Sequence, residues 1–332
     1  MFDNLSNLFG LAPDGKQQPG GPHRRAIRPM NWTLEKIPDQ GGRIAVVTGA
    51  NTGIGYEMAR ALALEGARVI LACRSRKRGA AALESILREK PGCEAAFEQL
   101  DLAGMDSVRD FAARIRSRGS PIDLLINNAG VMVPPRTTTA EGFELQLGVN
   151  HLGHFLLTGL LLERMANSPR SRIVTVSSLA HQAGRIDFAS FRAQNGYKAF
   201  REYRQSKLAN LVFALELDRR LVASRYRFRS MAAHPGITRT ELGRHMRLFD
   251  AFAWVVGMTP RQGALPVLYA ATAPEAAGGE YYGPDGFHEM KGYPARARIM
   301  PQARDPETAR RLWAVSEELT GVRFPLLPVS PL

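Results

Sequence analysis

Tyr203 and Lys207 stand four residues apart in the run Tyr203-Arg204-Gln205-Ser206-Lys207, a spacing that puts both on one face of a helix. A phenol with an ordinary pKa near ~10 carries protons poorly at neutral pH, and a neighbouring ammonium favours its ionised form. Such a pair is suited to passing a proton to or from an oxygen. Upstream, the apolar run Arg172 to Ser177 ends in Ser177-Ser178. There a serine hydroxyl could hold that oxygen as charge develops. Either Ser177 or Ser178 could serve there.

A second group of residues addresses an anion. Ile44 to Thr48 is an apolar run that leads into Thr48-Gly49-Ala50-Asn51-Thr52-Gly53-Ile54-Gly55. A strand, a glycine turn and a helix start form a phosphate cradle from backbone N–H groups and the helix N-terminus; a tight turn without a ligand would share that composition. In a dinucleotide site the end of the next strand meets the adenosine ribose, where an acid holds a 2′-hydroxyl and a cation accommodates a 2′-phosphate. Val69 to Leu83 contains no acid but holds Arg74, Arg76, Lys77 and Arg78. A guanidinium pairs well with phosphate, so NADP(H) is expected over NAD(H), with Arg74 as the contact. A solvated basic helix start is the competing explanation.

The elements that must position these residues alternate. Strands are expected at Ile44–Thr48, Val69–Ala72, Ala95–Leu100, Leu124–Asn127, Arg172–Ser177 and Phe228–Ala233. Helices are expected at Ile54–Glu65, Lys77–Lys90, Met105–Arg118, Gly142–Met165 and Tyr203–Ala223, and a closing amphipathic helix at Pro306–Gly321. That order implies an α/β fold, a Rossmann-type doubly wound parallel sheet with helices on both faces in a single domain. Ligands then sit at the carboxyl ends of the strands, where both residue groups fall. Residues 1–42 read as an extended N-terminal arm, with Trp32 and Ile37 docking on the body. Residues 43–325 read as the domain, including a substrate lid at about 238–260.

Thr48 to Gly55, Asn127-Asn128-Ala129-Gly130, Asn150, Ser178, Tyr203 with Lys207, and Pro235-Gly236 follow the order of the short-chain dehydrogenase/reductase family, which the chain resembles over about residues 43 to 290. Within it, Ala72-Cys73-Arg74-Ser75, Val149 to Phe155, Ser177 to His181 and Tyr282 to Gly286 look like the branch of retinol dehydrogenases, WW-domain oxidoreductases and protochlorophyllide reductases. The resemblance implies Tyr203 as general acid/base and Ser178 as holder of the substrate oxygen. Lys207 would lower the tyrosine pKa and bond the nicotinamide ribose, and Asn150 would hold a water linking Lys207 to solvent. Gly49, Asn51, Thr52, Gly53, Ile54 and Gly55 would cradle the pyrophosphate. Asp101 and Leu102 would flank the adenine, and Asn128, Ala129 and Gly130 would let the backbone pass close to the cofactor. Pro235, Gly236, Ile237 and Thr238 would border the nicotinamide. A homo-oligomer is common in the family.

The substrate side is apolar. Phe188, Phe191, Tyr197 and Phe200 could wall a cleft or cover the core. Leu242, Met246, Leu248, Phe249, Phe252, Trp254, Val255, Val256 and Met258 could form a lid, ordinary helix packing or a subunit contact. Leu312, Trp313, Val315 and Leu319 on the closing helix could seal the sheet edge or meet a partner.

Composition narrows the class. The 332 residues are 45% hydrophobic and carry 44 Lys and Arg against 31 Asp and Glu, a formal charge of +13. The cations are dispersed, so no nucleic-acid partner is expected. Two cysteines, Cys73 and Cys93, make no disulfide framework and favour a reducing, cytoplasmic setting. His151, His154 and His181 lack metal-ligand spacing with other donors, so no metal is expected. No unbroken apolar run approaches the ~20 residues of a membrane span. The resulting expectation is an NADP(H)-dependent oxidoreductase interconverting a carbonyl and an alcohol on a lipophilic small molecule. Reduction of a conjugated C=C bond and a non-catalytic NADP-binding sensor or scaffold are the alternatives.

Overall fold

The computed structural model describes residues 31–193, 196–239 and 257–327. Eight strands form one sheet: β1 (Ile44–Thr48), β2 (Arg68–Cys73), β3 (Ala95–Gln99), β4 (Leu124–Asn127), β5 (Arg172–Val176), β6 (Arg229–Ala233), β7 (Tyr281–Pro284) and β8 (Pro294–Arg296). Their order is β3-β2-β1-β4-β5-β6-β7-β8, all pairings being parallel except β7 with β8. The chain reverses its winding between β1 and β4, and such a switch point opens a crevice at the strand ends.

Alternation along the central strands assigns each side chain to a face. Ala45 and Val47 of β1 pack with Met58, Leu62 and Leu268 on one side. Val46 points to the other side, with Phe111, Phe155 and Phe213. The first face is covered by α1 (Gly53–Leu64), α2 (Arg76–Glu89) and α6 (Pro260–Thr272). The second is covered by α3 (Met105–Ser117), α4 (Leu145–Arg164) and α5 (Ala199–Ala223). With both faces covered, the strands read as nearly continuous apolar runs.

Trp32 and Ile37 dock on the body as expected: both are buried, and Trp32 stands edge-on to Tyr269 of α6 at 5.6 Å between ring centroids. Other expectations change in detail. α7 (Pro306–Thr320) lies on α4 and α5 rather than along the sheet edge, because Trp313 joins the ring cluster of Phe155, Phe213 and Phe324. α4 is, among the described residues, the one helix long and apolar enough to cross a membrane, with mean hydropathy 1.2. Unbroken apolar runs miss it because Asn150, His151 and His154 interrupt them. Yet 89% of its apolar stretch is buried inside the fold, and each of those three side chains has a hydrogen bond there. α6, β7 and β8 were not anticipated.

Candidate active site

One cleft of about 550 Å³ opens at the carboxyl ends of the strands and runs from the β1–α1 turn, past β4 and β5, to the segment after β6. At its centre the turn after β1 is left-handed at Gly49 (φ 67°) and Gly53 (φ 58°), a conformation natural to glycine. Gly55 is required by contact instead: a Cβ there would lie 2.3 Å from the Gly49 carbonyl oxygen. The N-cap of α1, Thr52, makes no side-chain capping bond. Backbone N–H groups at that helix start are thus available to a negatively charged group.

Thr48 ties this turn to the next strand end. Its Oγ1 accepts the N–H groups of Asn128 and Ala129, both at 2.9 Å, and Asn128 Nδ2 donates to the Thr48 carbonyl at 2.7 Å. Oγ1 also lies 2.8 Å from His154 Nε2, while His154 Nδ1 lies 2.9 Å from the Asn150 carbonyl oxygen. That carbonyl can only accept, so Nδ1 carries the proton and the threonine hydroxyl donates to Nε2. Burial holds His154 neutral, its pKa pushed down to about 4. The backbone of Asn128 to Gly130 is thereby fixed along the cleft wall.

At the β2 end, Arg74, Ser75 and Arg78 line the cleft together with Asp101 and Leu102. Ser75 caps α2 by accepting the Arg78 N–H at 3.3 Å. Asp101 is occupied locally: its N–H donates to Ser107 Oγ and its Oδ1 accepts the Ala103 N–H, each at 3.0 Å. Cys73 packs beneath, and burial pushes its thiol up to about 12.

At the other end α5 brings Tyr203 and Lys207 to one wall, facing Ser178. α5 begins at Ala199, four residues earlier than the sequence pattern suggested, so both residues sit well inside a regular helix. Tyr203 and the Ser178 side chain line the same part of the cleft, and Ser178 Oγ accepts the Ala180 N–H at 3.1 Å. The hydroxyl of Ser177 donates to the Lys207 carbonyl at 2.7 Å. Its bond is spent inside the fold, which separates the two serines. Lys207 Nζ donates to the Val176 carbonyl at 3.2 Å and lies 5.8 Å from the centroid of the Tyr203 ring. Burial dominates both groups. It pushes the Tyr203 phenol up to about 12 against the opposing influence of Ser178, and the Lys207 ammonium down to about 8. Burial, not the neighbouring ammonium, sets the direction of the Tyr203 shift in this arrangement.

Asn150 lies behind the cleft wall, in a π-helical turn of α4 (Gly148–Leu152). Its Oδ1 accepts the Val131 N–H at 2.8 Å, and its Nδ2 donates to the Val131 carbonyl at 3.0 Å and to Ser206 Oγ at 2.9 Å. A Cβ on Gly130 would lie 3.1 Å from Asn150 Oδ1 and 3.6 Å from Lys207 Nζ, so the three residues converge. Gly49, Asn51, Thr52, Gly53, Ile54, Pro235, Gly236, Ile237 and Thr238 all line the same cleft.

The apolar insertion divides its labour. Phe191 is buried beside Phe143 and Leu208, with Phe188 stacked on it at 5.5 Å. Phe200 packs near Tyr203, and Tyr197 donates its hydroxyl to the Pro134 carbonyl at 2.7 Å. Beside them runs a loop that sequence reasoning missed, in which Met132 and Pro134 line the cleft and Val133 has φ 51°. A β-branched residue rarely adopts that conformation. It is held by the bond from its N–H to Gln146 Oε1 at 2.8 Å. Of the lid expected at 238–260, residues 240–256, including Leu242 to Val256, lie outside the described residues; Met258 is buried and bridges to Thr238. Among the described residues no group of three or more His, Cys, Asp or Glu could hold a metal ion.

Comparison with known proteins agrees with this geometry. The short chain dehydrogenase family matches residues 43–250. Human retinol dehydrogenase 13 is 44% identical over 303 residues, covering 88% of each chain. Mouse polyprenol dehydrogenase is 44% identical over 296 residues, covering 86% of each. The crystal structure of an uncharacterised protein from Mycobacterium paratuberculosis superposes with TM-score 0.76 at 40% identity, over 90% of this chain and 100% of that one. A match of this extent, on a fold and cleft of this form, means that the chain belongs to the short-chain dehydrogenase family and is an oxidoreductase related to the retinol dehydrogenases.

Proposed function

We propose that the protein is an NADP(H)-dependent oxidoreductase that interconverts a carbonyl and an alcohol on a lipophilic small molecule. One observation carries the reading: Tyr203, Ser178 and Lys207 open into the same cleft as the glycine turn, with Arg74 and Arg78 at its far end. The cleft suits a dinucleotide by its own geometry. Gly55 removes a Cβ that would collide with the turn carbonyl, and the α1 N-terminus is uncapped. The residues to hold the cofactor are Gly49, Asn51, Thr52, Gly53, Ile54 and Gly55 for the pyrophosphate and Arg74 for the 2′-phosphate. Asp101 and Leu102 would flank the adenine, Asn128 to Gly130 would line the wall, and Pro235 to Thr238 would border the nicotinamide.

The cofactor, when bound, supplies or accepts the hydride. Ser178 orients the substrate oxygen. Tyr203, kept protonated by burial, donates its proton to that oxygen during reduction and takes it back during oxidation. Lys207 holds positive charge beside the ring and would bond the nicotinamide ribose, as the family resemblance implies. Asn150 braces Val131 and Ser206 behind the proton path. Met132, Pro134, Leu145, Val149 and Leu179 give the substrate end an apolar lining, in keeping with relatives named for retinol and polyprenol.

The test is fluorescence titration of NADPH and NADH on the wild type and on Arg74→Ala. A strong NADPH preference is expected to shrink by about tenfold or more in the variant, the scale of one charge-assisted contact to phosphate. Equal binding of the two cofactors by the wild type would overturn the assignment of Arg74. Product analysis on a panel of aldehydes, ketones and enones then separates carbonyl from C=C reduction.

A further inference from the structure

The residue before Pro235 is His234, whose side chain is 0% exposed. The Gly236 N–H donates to its Nδ1 at 3.2 Å, which makes that nitrogen an acceptor. The ring proton therefore belongs on Nε2, and Nε2 faces the Glu289 carboxylate at 3.1 Å. The other carboxylate oxygen, Oε1, accepts the Arg298 N–H at 2.7 Å.

This contact is built at a cost in backbone conformation. His288 and Glu289 are successive non-glycine residues in the left-handed region, φ 48° and 57°, where side chains are disfavoured unless the surroundings demand it. The same turn provides the Met290 carbonyl, which accepts the Ile237 N–H at 2.8 Å. Gly236 and Gly283 have been kept clear for it: a Cβ on Gly236 would lie 2.4 Å from the Met290 oxygen, and one on Gly283 would lie 2.0 Å from His234 Nε2. Two successive residues of the cleft lining thus hang from one strained turn, Gly236 through the imidazole and Ile237 directly.

We infer that Glu289 is a positioning residue, which through the Nε2–H tautomer of His234 fixes Gly236 and Ile237 as the wall for the nicotinamide half of the cofactor. The inference rests on the function proposed above. Burial pushes the Glu289 carboxyl up, but the hydrogen bonds it accepts from His234 and the Arg298 N–H outweigh it and hold the group below the ordinary glutamate range. A carboxylate is required because it accepts at both oxygens. A glutamine has one acceptor for two donors. With its amide nitrogen toward His234, it would force the ring proton onto Nδ1, against the Gly236 N–H; turned over, it would oppose the Arg298 N–H.

The experiment compares wild type, Glu289→Gln and Glu289→Ala in binding NADPH and adenosine 2′,5′-bisphosphate, which lacks the nicotinamide half. NADH and 5′-AMP are titrated in parallel, and amide exchange at Gly236 is followed without ligand. Expected is a rise of about tenfold in the NADPH Kd of both variants, with the bisphosphate Kd held within about twofold, the size of one lost hydrogen bond to a charged group confined to one end of the site. Gly236 exchange should accelerate, and kcat should fall while the KM for the carbonyl substrate changes little. Equal loss for both ligands, or unchanged NADPH binding and Gly236 protection, would overturn the inference. If the wild type prefers NADH, the NADP reading fails by itself, and NADH against 5′-AMP decides the role of Glu289. Glu289→Gln is close to isosteric and preserves the comparison where the alanine variant does not fold.

Discussion

Lys207 sets chemistry against stability at a single residue. Its ammonium is buried, with the pKa pushed down to about 8 by loss of solvent. The unfolded chain gives a lysine near 10.4. Below about pH 8 both states are charged, and the folded state bears the full cost of burying that charge. Between about pH 8 and 10.4 the native lysine is neutral while the unfolded one still binds a proton, so its contribution to stability rises with pH. Lys207→Met should therefore abolish turnover yet raise stability near pH 7 by about 1–3 kcal/mol. The Val176 carbonyl would not be orphaned, because Asn210 Nδ2 donates to it at 3.1 Å. The gain should shrink on passing from pH 8 to 10, which urea unfolding at several pH values measures. A variant less stable than wild type at pH 7 would mean that the ammonium is solvated or paired. At this scale the sequence was informative about residue type and spacing. Tyr203, Lys207 and Ser178 were readable because helix period and strand ends dictate which side chains meet. The pKa directions were not, since they depend on burial.

Among the elements, the β1–α1 turn is the most constrained. Gly55→Ala places a Cβ 2.3 Å from the Gly49 carbonyl oxygen and 2.5 Å from Asn128 Nδ2, and the first of these is backbone that cannot swing aside. The turn must open, so cofactor affinity should fall by more than about tenfold and stability by about 1–3 kcal/mol, the usual cost of overpacking. Titration with NADPH and thermal unfolding read the two effects separately, and retained affinity would show that the turn yields. The central strands were legible to within a residue or so, because β1, β4, β5 and β6 are buried on both faces and read as apolar runs. α6 was hidden for a different reason. Pro266 lies inside it, and its apolar residues surround most of its circumference, which erases the amphipathic period. Its start was nevertheless marked: Thr259 and Gln262 form a capping box around Pro260, a signal that sequence reasoning could have used. β7 and β8 are too short, and too mixed with Gly and Pro, to stand out. The strained turn that supports Gly236 has no local signature at all, since its conformation is imposed by β7, β8 and His234 together.

At the scale of the whole molecule, the doubly covered sheet fixes how the fold responds to acid. His151, His154 and His181 are buried where α4 meets α7, β1 and the strand ends, and burial pushes their pKa values down to about 3, 4 and 4. Each has a hydrogen-bonding partner suited to a neutral ring: Ser316 Oγ for His151, the Asn150 carbonyl with Thr48 for His154, and the Ser178 carbonyl for His181. An unfolded histidine titrates near 6.5. As pH falls from about 6.5 toward 4, the unfolded chain takes up protons that the native fold refuses, so native stability is lost on the acid side. Each ring contributes about 1.4 kcal/mol per pH unit, and the three together about 4 kcal/mol per unit, as an upper value over that window. Since a domain is stable by only about 5–15 kcal/mol, this protein should unfold in acid at a pH where most surface carboxylates are still ionised. Urea midpoints measured from pH 7.5 to 4.5 should fall steeply below about 6.5, and His151→Gln, which keeps a polar group toward Ser316, should remove about a third of that slope. A flat profile from pH 7 to 5 would instead mean that the rings take up protons inside the fold, and then the tautomer that fixes Thr48, and with it the Asn128–Ala129 wall of the cleft, could not be maintained.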